Sequence, residues 1–219
     1  MLTKVGVDQM NVFVLCAGRT ASTTFAKAAN TLDRFTAGHE TNASKIGNER
    51  FDYPLNHIEV DNRLSWFLGG LDRRYGDSAK YVFLKRDNEK IAKSYLERWN
   101  LTVSIVRAFS KAVLMKASIN DSERLNICRF YVETVEENIQ FFLKDKSKEN
   151  IFYFELEDSK NEFLRFSKWI GEEASDESLK IWDMHFNKNR FSRPSAVLKR
   201  LVRKTYRLVT SFPEFVRDV

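Results

Sequence analysis

The sequence has few residues of the kinds that mark disulfide-bonded, fibrous or metal-binding proteins. It contains two cysteines, three prolines and eight glycines in 219 residues. Two cysteines are too few for a disulfide framework, and Cys16 and Cys128 follow no zinc-ligand spacing, so we interpret both as buried thiols in a reducing compartment. The low proline and glycine content excludes collagen-like and low-complexity chains. We predict no metal site.

Long apolar runs are also missing. No stretch reaches the roughly 18–20 apolar residues that a membrane-spanning helix needs. Residues 1–10 are too few and too polar for a signal peptide. We therefore expect a cytoplasmic protein, attached at most peripherally to the inner face of the membrane.

Positive charge is concentrated near the C-terminus. The net charge is +6, and residues 186–219 hold nine of the 36 Lys and Arg but only two of the 30 Asp and Glu. The nearly neutral remainder argues against a nucleic-acid partner. We predict a domain over residues 1–194 and a basic amphipathic helical tail over 195–219. The tail could dock on the domain, contact an anionic membrane or bind an acidic partner.

Short apolar runs alternate with helical patterns along the domain. Residues 11–16, 80–84 and 150–156 predict buried strands, whereas residues 35–54 have little periodicity and are interpreted as a loop. Helical spacing covers residues 61–76, 87 to about 118, 121–144 and 158–170, and also follows Thr23 and Ser175. This alternation predicts an α/β fold of three layers, α/β/α, with a central, mostly parallel sheet.

The first predicted strand runs into a loop of small and polar residues at 17–24 (AGRTASTT). Backbone N–H groups at such a strand-to-helix turn are free to bind anions, and the helix dipole favours negative charge there. The predicted phosphate-binding residues are Gly18, Arg19, Thr20, Ala21, Ser22, Thr23 and Thr24. The alternative is an ordinary helix start capped by Ser22. The Gly-x-x-x-x-Gly-Lys-Ser/Thr pattern of nucleotide triphosphatases is missing.

A second candidate element follows the second strand. Arg86 lies just after that strand, and Ser94 comes eight residues later, about two helical turns along. Ligands bind at the carboxyl ends of parallel strands, so these two side chains could hold one phosphate. The segments VLCAGRTASTTF (14–25), VFLKRDNEKIAKSYLERW (82–99) and IFYFELEDSKNEFLRFSKWIG (151–171) resemble, in this order, the sulfotransferases that use 3′-phosphoadenosine 5′-phosphosulfate (PAPS).

The resemblance implies a sheet like that of the P-loop kinases and sulfo transfer from PAPS to a hydroxyl, with a carbohydrate acceptor favoured. It implies that Arg19, Thr20, Ser22 and Thr23 bind the 5′ end of PAPS, and that Arg86 and Ser94 bind the 3′-phosphate. Arg190 and Arg193 are the candidates for the family's C-terminal arginine clamp, which has no clean match. The family often has Gly where this chain has Ala21, which disfavours positive φ, so we expect a differently shaped loop.

Sulfo transfer needs a base that takes the proton of the acceptor hydroxyl, and no metal is required in principle. Some glycan-acting members of the family use a Glu soon after the first helix, and cytosolic small-molecule members use a His. The resemblance therefore implies Glu40 as the first candidate, with His39 and His57 as alternatives. Glu59 and Asp61 are further acidic options, although Asp61 is also a common helix-capping residue type.

Two other classes of function stay open. The first is a nucleotide-dependent kinase on the same fold, against which the missing Walker lysine counts. The second is a non-catalytic nucleotide- or protein-binding module, which would keep Arg86 and Ser94 but depend on no acidic or histidine residue.

Overall fold

The computed structural model describes residues 10–101 and 104–184, all within one compact unit that ends at Met184. The predicted tail helix over 195–219, the domain boundary after residue 194, and the clamp candidates Arg190 and Arg193 lie outside the described residues.

Five strands form one sheet in the order β2-β3-β1-β4-β5. They are β1 (Val12–Leu15), β2 (Thr36–His39), β3 (His57–Val60), β4 (Lys80–Lys85) and β5 (Ile151–Glu155). Every neighbouring pair is parallel, which confirms the predicted α/β class and its mostly parallel sheet. β1 is wholly apolar and fully buried, so it takes the central position.

Helices connect the strands and cover the sheet. They are α1 (Ser22–Ala29), α2 (Leu68–Tyr75), α3 (Asn88–Leu96), α4 (Ile105–Ala108), α5 (Asp121–Lys144), α6 (Ser159–Trp169) and α7 (Asp176–Ile181). The bounds of α5 match the prediction, and Asn120 and Glu123 form a capping box at its start. Ser175 caps α7 as predicted, because its hydroxyl accepts from the Ser178 N–H at 3.1 Å.

Alternating residues of the strands build a core on each face of the sheet. Phe13 and Tyr81 pack on one face with buried residues of α3 and α5, such as Ile91 and Val135. On the other face, the Phe25 ring of α1 contacts the rings of four buried aromatic residues: Phe154, Phe163, Phe166 and Trp182. The sheet is therefore the middle layer of three.

The interpretation of residues 35–54 as one loop is wrong. This segment contains β2 and the 3₁₀ helix Gly47–Phe51, and β3 follows it closely. β2 reads TAGH and β3 reads HIEV, each only four residues long. A run this short and polar shows no clear hydrophobic period, so the sequence does not reveal it as a strand. Its pairing with neighbouring strands stabilises it.

Two predicted helices are divided in the structure. Residues 61–76 form the 3₁₀ helix Asn62–Trp66 and then α2, which ends at Gly76 (φ 48°) as predicted. The helix predicted from residue 87 to about 118 ends at Leu96, and α4 later passes into a π-helical turn at Phe109–Val113. Beyond Leu96, turns and short helices also contribute buried apolar residues, so the apolar pattern continues. The period of that pattern alone therefore does not show where the helix ends.

Among the described residues, no helix is both long enough and apolar enough to cross a bilayer.

Candidate nucleotide-binding site

The loop between β1 and α1 has an unusual backbone. Gly18, Arg19 and Ala21 have φ angles of 84°, 63° and 56°. These angles lie in the left-handed region, which residues other than glycine rarely adopt. The expectation that Ala21 would avoid positive φ is therefore wrong. Non-Gly residues in this region cost about 1–3 kcal/mol each and concentrate at functional sites. The strain is consistent with a loop shaped around a ligand.

The helix that follows this loop has no side-chain cap. Ala21 is the residue that precedes α1, and Ser22 is its first helical residue, so the alternative of a helix start capped by Ser22 is wrong. No acidic residue lies in the first turn of α1. The positive end of the helix dipole is thus open to an anion supplied by a ligand.

Tight packing behind the loop fixes its position. The Tyr95 hydroxyl of α3 donates to the Ala17 carbonyl at 2.7 Å. A Cβ atom added to Gly18 would lie 2.3 Å from that hydroxyl oxygen and 3.1 Å from Asn62 Nδ2. Gly18 is therefore required both for its φ and for the space that the loop leaves against α3. Tyr95 and Asn62 are parts of the site that the sequence pattern did not reveal.

The two predicted anion-binding elements meet at Arg19. The Arg86 guanidinium, at the end of β4, donates through Nη1 to the Arg19 carbonyl at 2.7 Å. Arg19 in turn donates through Nε to the Ser94 hydroxyl on α3 at 3.0 Å. The Arg19 side chain thus points along the loop toward Ser94, whereas its backbone shapes the turn before α1.

A third arginine, Arg98, joins this cluster. Arg98 follows Ser94 by four residues, in the turn after α3. Burial lowers the pKa of Arg19, and the neighbouring charges of Arg98 and then Arg86 lower it further. The charges of Arg98 and Arg86 thus act on Arg19, and an anion of two or more charges would stabilise this positive site.

His39 and Glu40 lie beside the loop, where β2 ends. The His39 Nε2 atom is 2.9 Å from the Ser22 hydroxyl oxygen at the start of α1. Glu40 follows with φ 57° and forms an ion pair with Arg63, whose side chain is about as exposed as its own. The structure therefore brings the first two base candidates to the same edge of the sheet as the loop.

His57 lies elsewhere. It begins β3 and pairs in register with Thr36, the first residue of β2, so it is at the amino end of its strand. Its side chain is buried between the Thr36 hydroxyl, 2.8 Å from Nδ1, and the Glu59 carboxylate, 3.0 Å from Nε2. The Tyr53 ring stacks on the imidazole. Its hydrogen-bond partners thus belong to β2 and β3, where Glu59 is buried and Thr36 is exposed.

Asp61 lies directly after β3 and is fully buried. Its carboxylate pairs with the buried Arg50 guanidinium at 2.5 Å and accepts from the Arg63 N–H at 2.7 Å. It caps the 3₁₀ helix Asn62–Trp66, which confirms the helix-capping interpretation.

The two cysteines are buried, as the sequence predicts. Burial raises the pKa of both thiols to about 11, so both are protonated at neutral pH and are poor nucleophiles. In the described part of the chain, no group of three or more His, Cys, Asp or Glu side chains is arranged to hold a metal ion.

The comparisons with known proteins bear on the fold. The sequence matches no protein-family model and no curated protein. Among solved structures, it is similar to the "Sulfotransferase Domain from the Curacin Biosynthetic Pathway", with a TM-score of 0.59 and 11% sequence identity over 80% of this chain and 78% of that chain. At this identity the similarity is one of fold. The described domain thus has the α/β fold of a sulfotransferase domain.

Proposed function

We propose that this protein transfers a sulfo group from PAPS to a hydroxyl of an acceptor. The observation that carries the proposal is the contact between the β1–α1 loop and the β4–α3 element. The bond from Arg86 to the Arg19 carbonyl and the bond from Arg19 to Ser94 join the two elements, which supports one doubly phosphorylated adenosine as their common ligand. The fold similarity to a sulfotransferase domain supports the same conclusion.

The donor is expected to lie across the carboxyl edge of the sheet. The uncapped start of α1 and the hydroxyls of Ser22 and Thr23 bind the 5′-phosphosulfate, whose negative charge suits a helix N-terminus. Arg86, Ser94 and Arg98 bind the 3′-phosphate, and Arg19 lies between the two ends. A phosphate monoester carries close to two negative charges at neutral pH, which fits a site of several guanidinium groups.

The reaction moves one sulfo group and one proton. The acceptor oxygen attacks the sulfur, the bond from sulfur to the 5′-phosphate oxygen breaks, and 3′-phosphoadenosine 5′-phosphate leaves with the released electron pair. The acceptor proton goes to a base, and the acceptor becomes a sulfate ester. Positive charge around the leaving phosphate stabilises the transition state in which that charge develops.

Glu40 is the base in this proposal. Its carboxylate is accessible at the edge of the sheet and is held by Arg63, which fixes its direction. His39 instead contacts Ser22, at the donor end of the site. The strained φ of Glu40 is consistent with a functional position. The acceptor is proposed to be a carbohydrate hydroxyl, following the resemblance of the His39–Glu40 pair to glycan-acting sulfotransferases.

The donor assignment is testable by thermal unfolding of the full chain with 3′-phosphoadenosine 5′-phosphate, ADP or ATP with magnesium. A ligand at 100 times its Kd stabilises the folded state by about 2.7 kcal/mol. For a domain of this size, that corresponds to a rise in Tm of roughly 5–11 °C. We expect this rise with 3′-phosphoadenosine 5′-phosphate and a much smaller one with ADP, which lacks the 3′-phosphate.

A larger rise with ATP and magnesium would contradict the proposal and support the kinase alternative. Equal small shifts with all three nucleotides would exclude a 3′-phosphate site. Release of 3′-phosphoadenosine 5′-phosphate from PAPS, dependent on added acceptor sugars, then separates an enzyme from a binding module.

A further inference from the structure

His57 and Glu59 form a buried pair of titratable side chains next to the turn that carries His39 and Glu40. Glu59 is fully buried and His57 is 6% exposed. The Glu59 Oε2 atom lies 3.0 Å from His57 Nε2, and His57 Nδ1 lies 2.8 Å from the Thr36 hydroxyl. Burying a charged group is unfavourable unless hydrogen bonds satisfy it. The role of the Glu59 carboxylate therefore follows from its two hydrogen-bond partners.

The second partner of Glu59 is the turn itself. Its Oε1 atom accepts from the Thr41 backbone N–H at 2.8 Å. Thr41 follows Glu40 directly, and the Glu40 N–H donates to the Val60 carbonyl at 3.2 Å. A charge-assisted bond to a carboxylate is stronger than a neutral one. The buried carboxylate thus anchors the chain one residue beyond the proposed base.

A neighbouring carboxylate anchors the partner of Glu40 in the same way. Asp61, two residues after Glu59, is held by Arg50 and accepts from the Arg63 N–H. Arg63 then pairs with Glu40. Two fully buried acidic residues therefore fix both sides of the Glu40 ion pair.

Gly38 leaves no room for a side chain beside this anchor. A Cβ atom at Gly38 would lie 2.0 Å from Thr41 Oγ1, 2.8 Å from Glu59 Oε2 and 3.1 Å from His57 Nε2. Real Cβ atoms essentially never come within 3.0 Å of another atom, so a side chain at this position would displace the Thr41 side chain and the Glu59 carboxylate.

We propose that Glu59, oriented by His57, is a positioning residue that holds the His39–Thr41 turn in its active geometry. This inference rests on the proposed sulfo transfer. It assigns Glu59 and His57 to the support of the proposed base and not to proton transfer with the acceptor.

The two roles predict opposite results for Glu59→Gln. Glutamine has the same shape, so its Oε1 atom can still accept from the Thr41 N–H. Its amide can donate to His57 Nε2 if the imidazole proton moves to Nδ1, and the Thr36 hydroxyl can then accept, since hydroxyls both donate and accept. A positioning residue keeps its function after this change, whereas a base loses it.

The first experiment compares Gly38→Ala with Gly69→Ala. Gly69 is the matched control because a Cβ atom there meets nothing within 4 Å. We measure sulfo transfer, the rise in Tm with 3′-phosphoadenosine 5′-phosphate, and amide hydrogen exchange in residues 36–43. Gly38→Ala should exchange faster in this segment and lose roughly 10²-fold in kcat, because small displacements of reacting groups have effects of that size. Nucleotide binding should stay unchanged in both variants.

Glu59→Gln supplies the second measurement, which stays informative if Gly38→Ala does not fold. We expect a loss of less than about tenfold in kcat, since its hydrogen bonds are retained, with the Thr41 amide still protected. A loss of roughly 10²–10⁴-fold with that amide protected would overturn the inference and make Glu59 an acid–base group. Equal kcat in Gly38→Ala and Gly69→Ala would also overturn it. Failure of the wild-type chain to transfer sulfo groups would instead reject the proposed function.

Discussion

Replacing Glu40 with Gln is expected to lower kcat by roughly 10²–10⁴-fold, the usual effect of removing a positioned base. The substitution keeps the shape of the side chain and removes its ability to take a proton. The lost ion pair with Arg63 is partly exposed, so stability should change by less than about 1 kcal/mol. The Kd for 3′-phosphoadenosine 5′-phosphate should stay unchanged, because Glu40 is assigned to the acceptor side. Single-turnover sulfo transfer and nucleotide titration measure the two quantities.

Glu49→Gln is the matched control for this experiment. Glu49 lies in the 3₁₀ helix Gly47–Phe51, and its exposed side chain pairs only with Lys45 among the described ion pairs. It should therefore retain the wild-type rate. Unchanged turnover in Glu40→Gln would reject Glu40 as the base. A large loss in His39→Gln together with that result would move the role to His39, the other candidate at the same edge of the sheet.

Replacing Arg86 with Ala is expected to weaken the binding of 3′-phosphoadenosine 5′-phosphate by about 10–150-fold. This range corresponds to the roughly 1.5–3 kcal/mol that a hydrogen bond to a charged group contributes. The effect on 5′-AMP, which lacks the 3′-phosphate, should be several-fold smaller. Isothermal titration of both nucleotides against wild type and variant forms a double-mutant cycle, in which the ligand phosphate is the second deletion.

Lys85→Ala is the control for Arg86→Ala because it removes the same charge at the adjacent position. Lys85 pairs with Glu155 on β5 and is assigned no ligand contact. It should change the affinity for either nucleotide by less than about fivefold, the effect of about 1 kcal/mol for an exposed charge. Equal losses for both nucleotides in Arg86→Ala would indicate that Arg86 acts only by holding the Arg19 carbonyl. That result would remove Arg86 from the 3′-phosphate site.

Interactions between residues close in sequence determined the features that were predicted correctly. The 24-residue helix α5 was predicted with its bounds because its apolar period and its capping residues are local signals. The same holds for the end of α2 at Gly76 and the start of α7 at Ser175. The strand–helix alternation was enough to predict a parallel α/β sheet, since parallel strands need crossover connections.

The composition of the β1–α1 loop and of the β4–α3 element predicts an anion-binding site, and this stays a prediction. It did not predict the shape of the loop. Arg19 and Ala21 take positive φ against the preference of their own residue types, beside Gly18, which packs against Tyr95 and Asn62. The residue pattern did not single out Arg98, although it follows Ser94 at a spacing of four residues.

By itself, the sequence determined the layers of the fold, the long helix α5 and the chemical types available at the ends of β1, β2 and β4. Only the tertiary structure decided that Arg19 meets Ser94, 75 residues away along the chain, and that Glu59 anchors the turn at Thr41. It also decided that the four-residue runs at β2 and β3 are strands. The physical reason is the separation along the chain of the residues that interact. Helix periods and caps act within one or two turns, whereas parallel pairing and buried polar contacts depend on which distant segments pack together.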